Sequence, residues 1–126
     1  MTPITILGVH TPKWASNAPL NSKEYHLYPP KNSYLNDYSN YVKTLVREYG
    51  PSIYAYEVWN EPNTSVFYRG TPEQFSGLLN TSYKSVKELN PEANVVAFGL
   101  THYDQKASDF MLKTLQKSGT NKMDAV

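Results

Sequence analysis

The chain contains no cysteine among its 126 residues, which excludes disulfides, thiol nucleophiles and thiolate-bound metals. It also has no apolar run near the roughly 20 residues that a membrane-spanning helix needs, and its start, Met1-Thr2-Pro3, lacks the features of a signal peptide. Charge of one sign is equally scarce, because twelve basic residues stand against eleven acidic ones without long runs. The composition therefore predicts no membrane partner and no nucleic-acid partner, and it leaves the compartment of the parent protein unknown.

What is present is an alternation of strand and helix patterns. Short apolar, β-branched runs predict strands, and apolar positions three and four residues apart predict helices. The predicted strands cover residues 4–9, 53–59 and 94–99, with the start of another at residues 123–126, and the predicted helices cover residues 38–49, 72–89 and 108–118. The first run suits a strand buried on both faces. Residues 11–33 predict a long loop without regular structure.

The second helix has the clearest signals at its ends. Thr71 is a typical cap, Pro72 suits the first helical position and Gln74 completes a capping box. The pair Asn90-Pro91 then ends the helix. The apolar stripes of the helices also carry four tyrosines that are predicted to belong to the core: Tyr38, Tyr41, Tyr49 and Tyr83.

This alternation predicts an α/β fold of about three βα units whose strands run parallel. Three such units are half or less of a closed eight-stranded barrel, which needs roughly 250 residues. From the pattern alone, the single domain of residues 1–126 is either a small open sheet or a section of something larger.

The most informative segment is residues 56–63, Tyr-Glu-Val-Trp-Asn-Glu-Pro-Asn, at the end of the second predicted strand. It strongly resembles the signature at the end of the fourth strand in clan A glycoside hydrolases, most closely those of family 39, the β-xylosidase-like group. Further similarity lies at residues 11–16, 49–50, 67–68 and 123–126. The resemblance implies a partial catalytic domain, namely a section of a (β/α)8 TIM barrel from about its third strand to the start of its sixth.

By this resemblance the parent protein is a retaining O-glycosyl hydrolase of β-linked glycosides, of the xylosidase or glucanase type, and its substrate is a glycoside or oligosaccharide. Glu61 corresponds to the general acid/base, and Asn60 to the residue that binds the 2-hydroxyl of the sugar. The family's nucleophile is a glutamate at the end of the seventh strand, which this chain does not contain. The chain alone is therefore expected to be inactive.

Two other acids in the chain could be considered as the nucleophile. Glu57 shares a side of the strand with Glu61, but an extended chain separates the two backbones by about 13 Å, whereas a retaining pair lies about 5–5.5 Å apart. We therefore interpret Glu57 as a buried structural carboxylate that needs a hydrogen-bonded or cationic partner. Asp104 follows the third predicted strand, where an exposed loop aspartate is the commoner situation.

Aromatic side chains follow the strands as well. His10 and Trp14, just after the first strand, could bind substrate or simply pack within the loop, and both roles stay open. His102 and Tyr103 follow the third strand, and ordinary packing is favoured for them. The same holds for Trp59.

Two alternatives to the enzyme are kept. The chain could be a non-catalytic carbohydrate-binding or scaffold fragment of a barrel, or it could associate with another chain through the open edges of its sheet. No set of residues has metal-ligand spacing or forms a phosphate-binding loop, so neither a metal nor a cofactor is predicted. Asn63-Thr64-Ser65 matches the N-glycosylation pattern, but chance matches are frequent.

Overall fold

The computed structural model describes residues 2–102 and 104–126. Within these residues the chain forms three strands, β1 (Ile4–Leu7), β2 (Ala55–Val58) and β3 (Asn94–Val96), and three helices, α1 (Leu35–Tyr49), α2 (Pro72–Leu89) and α3 (Gln105–Ser118). The strands form one open sheet in the order β1-β2-β3, and both pairings are parallel. The prediction of an α/β fold with parallel strands is therefore confirmed.

The two faces of the sheet differ in what covers them. Leu7, Tyr56, Val58 and Val95 point to one side and are completely buried, because they join the core that the helices form. We call this the helix-covered face. The other side, the open face, carries Ile4, Ile6, Glu57 and Val96.

The prediction that the first strand is buried on both faces is wrong. Ile4 is 58% exposed and Ile6 is 39% exposed. The reason is that β1 pairs only with β2 in the described part of the chain, and the helices pack on the opposite face. An apolar, β-branched run indicates that a strand can be buried, but it does not supply the layer that buries it.

Helix α2 is the centre of the helical layer, and it contacts both α1 and α3. Its capping box is present as predicted: the hydroxyl of Thr71 accepts from the N–H of Gln74 at 3.2 Å, and the Gln74 side chain accepts from the N–H of Thr71 at 2.9 Å. Phe75, Leu78 and Val86 of this helix are fully buried. None of the helices in the described residues is long and apolar enough to span a membrane.

The prediction that all four stripe tyrosines belong to the core is only partly right. Tyr38 packs against the core, and its hydroxyl bonds to that of Ser82 at 3.0 Å. Tyr41 and Tyr49, by contrast, are 44% and 58% exposed. The apolar stripe of α1 is wider than the surface that α2 and the sheet cover, so its outer positions reach solvent.

Helix α3 begins three residues earlier than predicted. Asp104 is its N-cap, since its carboxylate accepts from the N–H of Ala107 at 2.9 Å. The exposed aspartate considered as a rim acid therefore has a structural role at a helix start.

The predicted fourth strand is present as a single parallel bridge between Val96 and Ala125. The N–H of Ala97 donates to the carbonyl of Ala125 at 3.0 Å. Beside the bridge, the carboxylate of Asp124 accepts from the N–H of Val95 at 2.8 Å and pairs with Lys87 at 2.9 Å. The last residues thus add to the β3 side of the sheet.

The loop of residues 11–33 is more ordered than predicted. It contains two 3-10 turns, Tyr25–Leu27 and Asn32–Tyr34, and an antiparallel bridge between Ser16 and Pro30. Its own polar groups hold it together, as when the N–H of Lys31 donates to the carbonyl of Ala15 at 2.8 Å. Short-range turns of this kind leave little periodic signal in a sequence.

Candidate active site

Each strand is followed by a residue in the left-handed backbone region. Gly8, Trp59 and Phe98 have φ angles of 68°, 62° and 63°. They lie at one level, because Leu7 pairs with Val58 and Glu57 pairs with Val96. The backbone therefore turns out of the sheet at the same height on all three strands. We call the residues beyond this level the rim.

Glycine adopts this conformation freely, but a tryptophan does so at a cost of about 1–3 kcal/mol. The surroundings of Trp59 hold it there. Its backbone N–H donates to the carbonyl of Leu7 at 3.0 Å, and its indole N–H donates to the carbonyl of Phe67 at 2.9 Å. Its ring is buried edge-on to Tyr68, with the centroids 5.3 Å apart. The predicted packing role of Trp59 is confirmed.

Glu61 lies on the rim of the central strand. It also has a left-handed backbone, with φ 42°, and its N–H donates to the carbonyl of Gly99 at 3.0 Å. Its carbonyl accepts from the N–H of Thr64 at 3.1 Å, which closes a turn after it. The backbone of Glu61 is thus tied to the neighbouring strand on one side and to its own loop on the other.

The side chains of Asn60 and Glu61 are both half-buried. Among the residues that the structure describes, neither the Asn60 amide nor the Glu61 carboxylate makes a hydrogen bond or an ion pair. The backbone of Glu61 is strained and fixed by hydrogen bonds, and its carboxylate has no partner among these residues. The carboxyl group is therefore available to exchange a proton with a bound molecule.

Asn63 joins the rims of β2 and β3. Its side-chain amide donates to the carbonyl of Thr101 at 2.6 Å, and its side-chain oxygen accepts from the N–H of Thr101 at 3.2 Å. This two-point contact fixes the loop that carries Glu61 against the next strand. No local pattern in the sequence indicates this contact, because it joins residues 38 positions apart.

Glu57 lies below Glu61 on the open face, and Gly99 leaves room for it. A methyl group on Gly99 would come within 1.8 Å of a carboxylate oxygen of Glu57, so a larger residue here would force the Glu57 side chain to move. Burial raises the pKa of the Glu57 carboxyl, because desolvation disfavours its charged form.

One expectation about Glu57 is corrected, and the premise of a second does not hold. The partner that it was predicted to need is absent from the described residues, since no hydrogen bond or ion pair there involves its carboxylate. The separation of about 13 Å from Glu61 assumed an extended chain, whereas the backbone is left-handed at Trp59 and again at Glu61.

His10 and Trp14 lie together around a cavity in the described part of the chain, which has a volume of about 480 Å3. Its wall is formed by the loop after β1, by the first turns of α1 and by Trp59. We call it the aromatic cavity, after Trp14, Tyr34, Tyr38, Tyr41 and Trp59. Trp14 is 61% exposed at its mouth and stands edge-on to Tyr34, with ring centroids 5.2 Å apart.

The four predicted site residues therefore fall into two groups. His10 and Trp14 line the aromatic cavity, whereas Asn60 and Glu61 are not part of its wall. Trp59 connects the groups, because it lines the cavity and directly precedes Asn60. His102 is exposed on the rim of β3, and Tyr103 lies outside the described residues.

Comparison with known proteins adds no relative: no protein-family model matches the chain, and no curated protein matches it. Among the described residues, no three His, Asp or Glu side chains are grouped closely enough to hold a metal ion. The residues of the rim and of the aromatic cavity are therefore the basis for assigning a function to the chain.

Proposed function

We propose that the chain is part of a retaining O-glycosyl hydrolase of β-linked glycosides, with Glu61 as its general acid/base and Asn60 as a ligand of the sugar 2-hydroxyl. The single observation that carries this proposal is the half-buried carboxyl group of Glu61, which pairs with no other described residue, at the carboxyl end of the central parallel strand. Enzymes with parallel α/β sheets bind their ligands at that end.

The proposed chemistry has two steps. In the first, the Glu61 carboxylic acid gives its proton to the glycosidic oxygen while a second carboxylate attacks the sugar and the bond to the leaving group breaks. In the second, the Glu61 carboxylate takes a proton from water while the water oxygen attacks the anomeric carbon and the bond from the sugar to the nucleophile breaks. Asn60, the residue before Glu61, is proposed to bind the 2-hydroxyl of the same sugar ring.

The turns at Trp59 and Glu61 support this assignment. A general acid has to be positioned beside the bond that it protonates, and the fixed backbone limits the region that the Glu61 side chain can reach. The bonds from Glu61 N–H to Gly99 and from Asn63 to Thr101 hold the rim from two sides.

We further propose that the sheet is a section of a (β/α)8 barrel. Three observations support this: the strands are parallel, they pair in chain order, and the helices cover one face only. Further strands, from another part of the protein or from a second chain joined at the open sheet edges, would cover Ile4 and Ile6 and supply the nucleophile.

His10 and Trp14 are proposed to contact the glycoside or the group attached to it. The exposed ring of Trp14 is the observation that supports a binding role, because an aromatic face exposed at a cavity mouth can stack on an apolar face of a ligand.

The test uses the complete protein and aryl β-glycosides that differ in leaving group. Glu61→Gln should slow hydrolysis of a substrate with a poor leaving group by about 10²–10⁴-fold. It should slow formation of the glycosyl-enzyme much less when the leaving group needs no proton. Glu57→Gln is the matched control, since that carboxyl lies on the same strand but below the rim. An unchanged rate on the poor leaving group would exclude Glu61 from the role.

A second candidate is a carbohydrate-binding fragment without catalysis, and the separation of the aromatic cavity from Glu61 favours it. Titration of the chain with neutral oligosaccharides, followed by tryptophan fluorescence, distinguishes the two. Binding without turnover by the complete protein supports this candidate, whereas turnover excludes it.

A further inference from the structure

The aromatic cavity presents ring surfaces and few hydrogen-bonding groups. The hydroxyl of Tyr38 is bonded to Ser82, and the indole N–H of Trp59 is bonded to the carbonyl of Phe67. The polar atoms of both aromatic residues are therefore engaged elsewhere. Trp59 is only 1% exposed, so it adds little surface to the cavity. Trp14, Tyr34 and Tyr41 complete the aromatic wall.

The cavity also contains a free negative charge. Asp37, in the first turn of α1, lines the cavity and is exposed. Its carboxylate makes no hydrogen bond or ion pair with any described residue. No lysine or arginine is among the described residues of the wall. Lys13 and Lys31, which adjoin wall residues along the chain, are exposed.

These features together select one class of ligand. The faces of aromatic rings attract cations, and several rings around one volume are the usual site for a quaternary ammonium group. Such rings also accept the apolar face of a sugar, but only a cation gains in addition from the negative charge of the Asp37 carboxylate. A volume of about 480 Å3 suits a small organic molecule.

We propose that the aromatic cavity binds a small organic cation, a quaternary ammonium or a protonated amine, between its rings and the Asp37 carboxylate. The inference goes beyond the proposed hydrolysis: it shares Trp14 with the proposed glycoside contact, but it needs neither Glu61 nor a nucleophile. The exposed ring of Trp14 contacts the ligand at the mouth of the cavity, and the Asp37 carboxylate balances the positive charge of the ligand.

The probe is choline, and its matched control is 3,3-dimethyl-1-butanol, which has the same shape without the charge. Both are titrated into the chain while tryptophan fluorescence is followed. Choline should bind at least about 10-fold more tightly than the alcohol. Asp37→Asn and Trp14→Ala should each weaken choline binding by roughly 3- to 30-fold.

Matched control variants come from the same helix. Glu48→Gln removes an exposed carboxylate of α1 outside the cavity, and Tyr49→Ala removes an exposed ring of α1 outside it. Neither should change choline binding, and circular dichroism checks that every variant is folded. Equal affinity for choline and the alcohol would overturn the proposal, and so would choline binding that survives both Asp37→Asn and Trp14→Ala. Because every readout is binding, a negative result leaves the assignment of Glu61 untouched.

Discussion

The helix-covered face and the open face of the sheet carry similar residue types but have opposite surroundings. On the first, Leu7 and Val58 are completely buried under the helices. On the second, Ile4 and Ile6 reach solvent beside the Glu57 carboxyl. The three helices of this chain are thus enough to bury one side of the sheet. The apolar side chains on the other side are the ones that the proposed further strands would cover.

The largest effect on stability is expected from the covered face. Leu78→Ala in α2 removes a fully buried side chain from the core and should lower the free energy of unfolding by about 2–5 kcal/mol. Leu112→Ala in α3 is the control, because this side chain is mostly exposed, and it should cost less than about 1 kcal/mol. Urea denaturation measures both, and equal losses would contradict the division into a packed and an open side.

An intermediate, pH-dependent effect is expected at Glu57. Burial raises the pKa of this carboxyl above its usual 4.5, so the folded state holds the proton more tightly than the unfolded state does. The stability from this group is complete below the unfolded pKa and is lost as the pH rises through the folded pKa. Glu57→Gln should therefore gain stability relative to the parent chain as the pH rises above the unfolded pKa of about 4.5.

Thermal unfolding across this pH range measures the difference between Glu57→Gln and the parent chain. Glu92→Gln, at an exposed position, is the control and should leave the pH profile unchanged. Parallel profiles for the Glu57 variant and the parent would show that water already solvates this carboxyl on the open face.

The smallest effect on stability is expected on the open face itself. Ile6→Thr keeps a β-branched side chain in β1 and should change the free energy of unfolding by less than about 1 kcal/mol. If the open face joins chains, the same change should weaken self-association in sedimentation equilibrium, whereas Leu20→Thr in the exposed loop should not. A parent chain that is monomeric at all concentrations would remove self-association from the proposal.

The ends of the strands are a feature that apolar patterns in the sequence do not predict correctly. The predicted strands reached Val9, Trp59 and Gly99, whereas the observed ones end at Leu7, Val58 and Val96. The apolar runs continue past these points, but the backbone becomes left-handed at Gly8, Trp59 and Phe98. Only the glycine could have signalled this turn, because bulky residues adopt the conformation only when distant contacts hold them there.

The residues of the candidate site could be predicted from the sequence, but the contacts that position them could not. The motif directed attention to Asn60 and Glu61, and the loop after the first strand to His10 and Trp14. Nothing in the sequence indicated that Gly99 makes room for Glu57, or that Asn63 binds the backbone of Thr101. Both contacts join residues about forty positions apart, which local patterns cannot relate.

The sequence by itself determined the alternation of strands and helices and the capping box at Thr71, because periodicity and caps depend on residues a few positions apart. Only the tertiary structure decided which side of the sheet is covered, how Glu61 is tied to Gly99 and that an aromatic cavity forms beside Asp37. Burial and cavities depend on how separate elements pack, and the same apolar residue can therefore end in the core or in water.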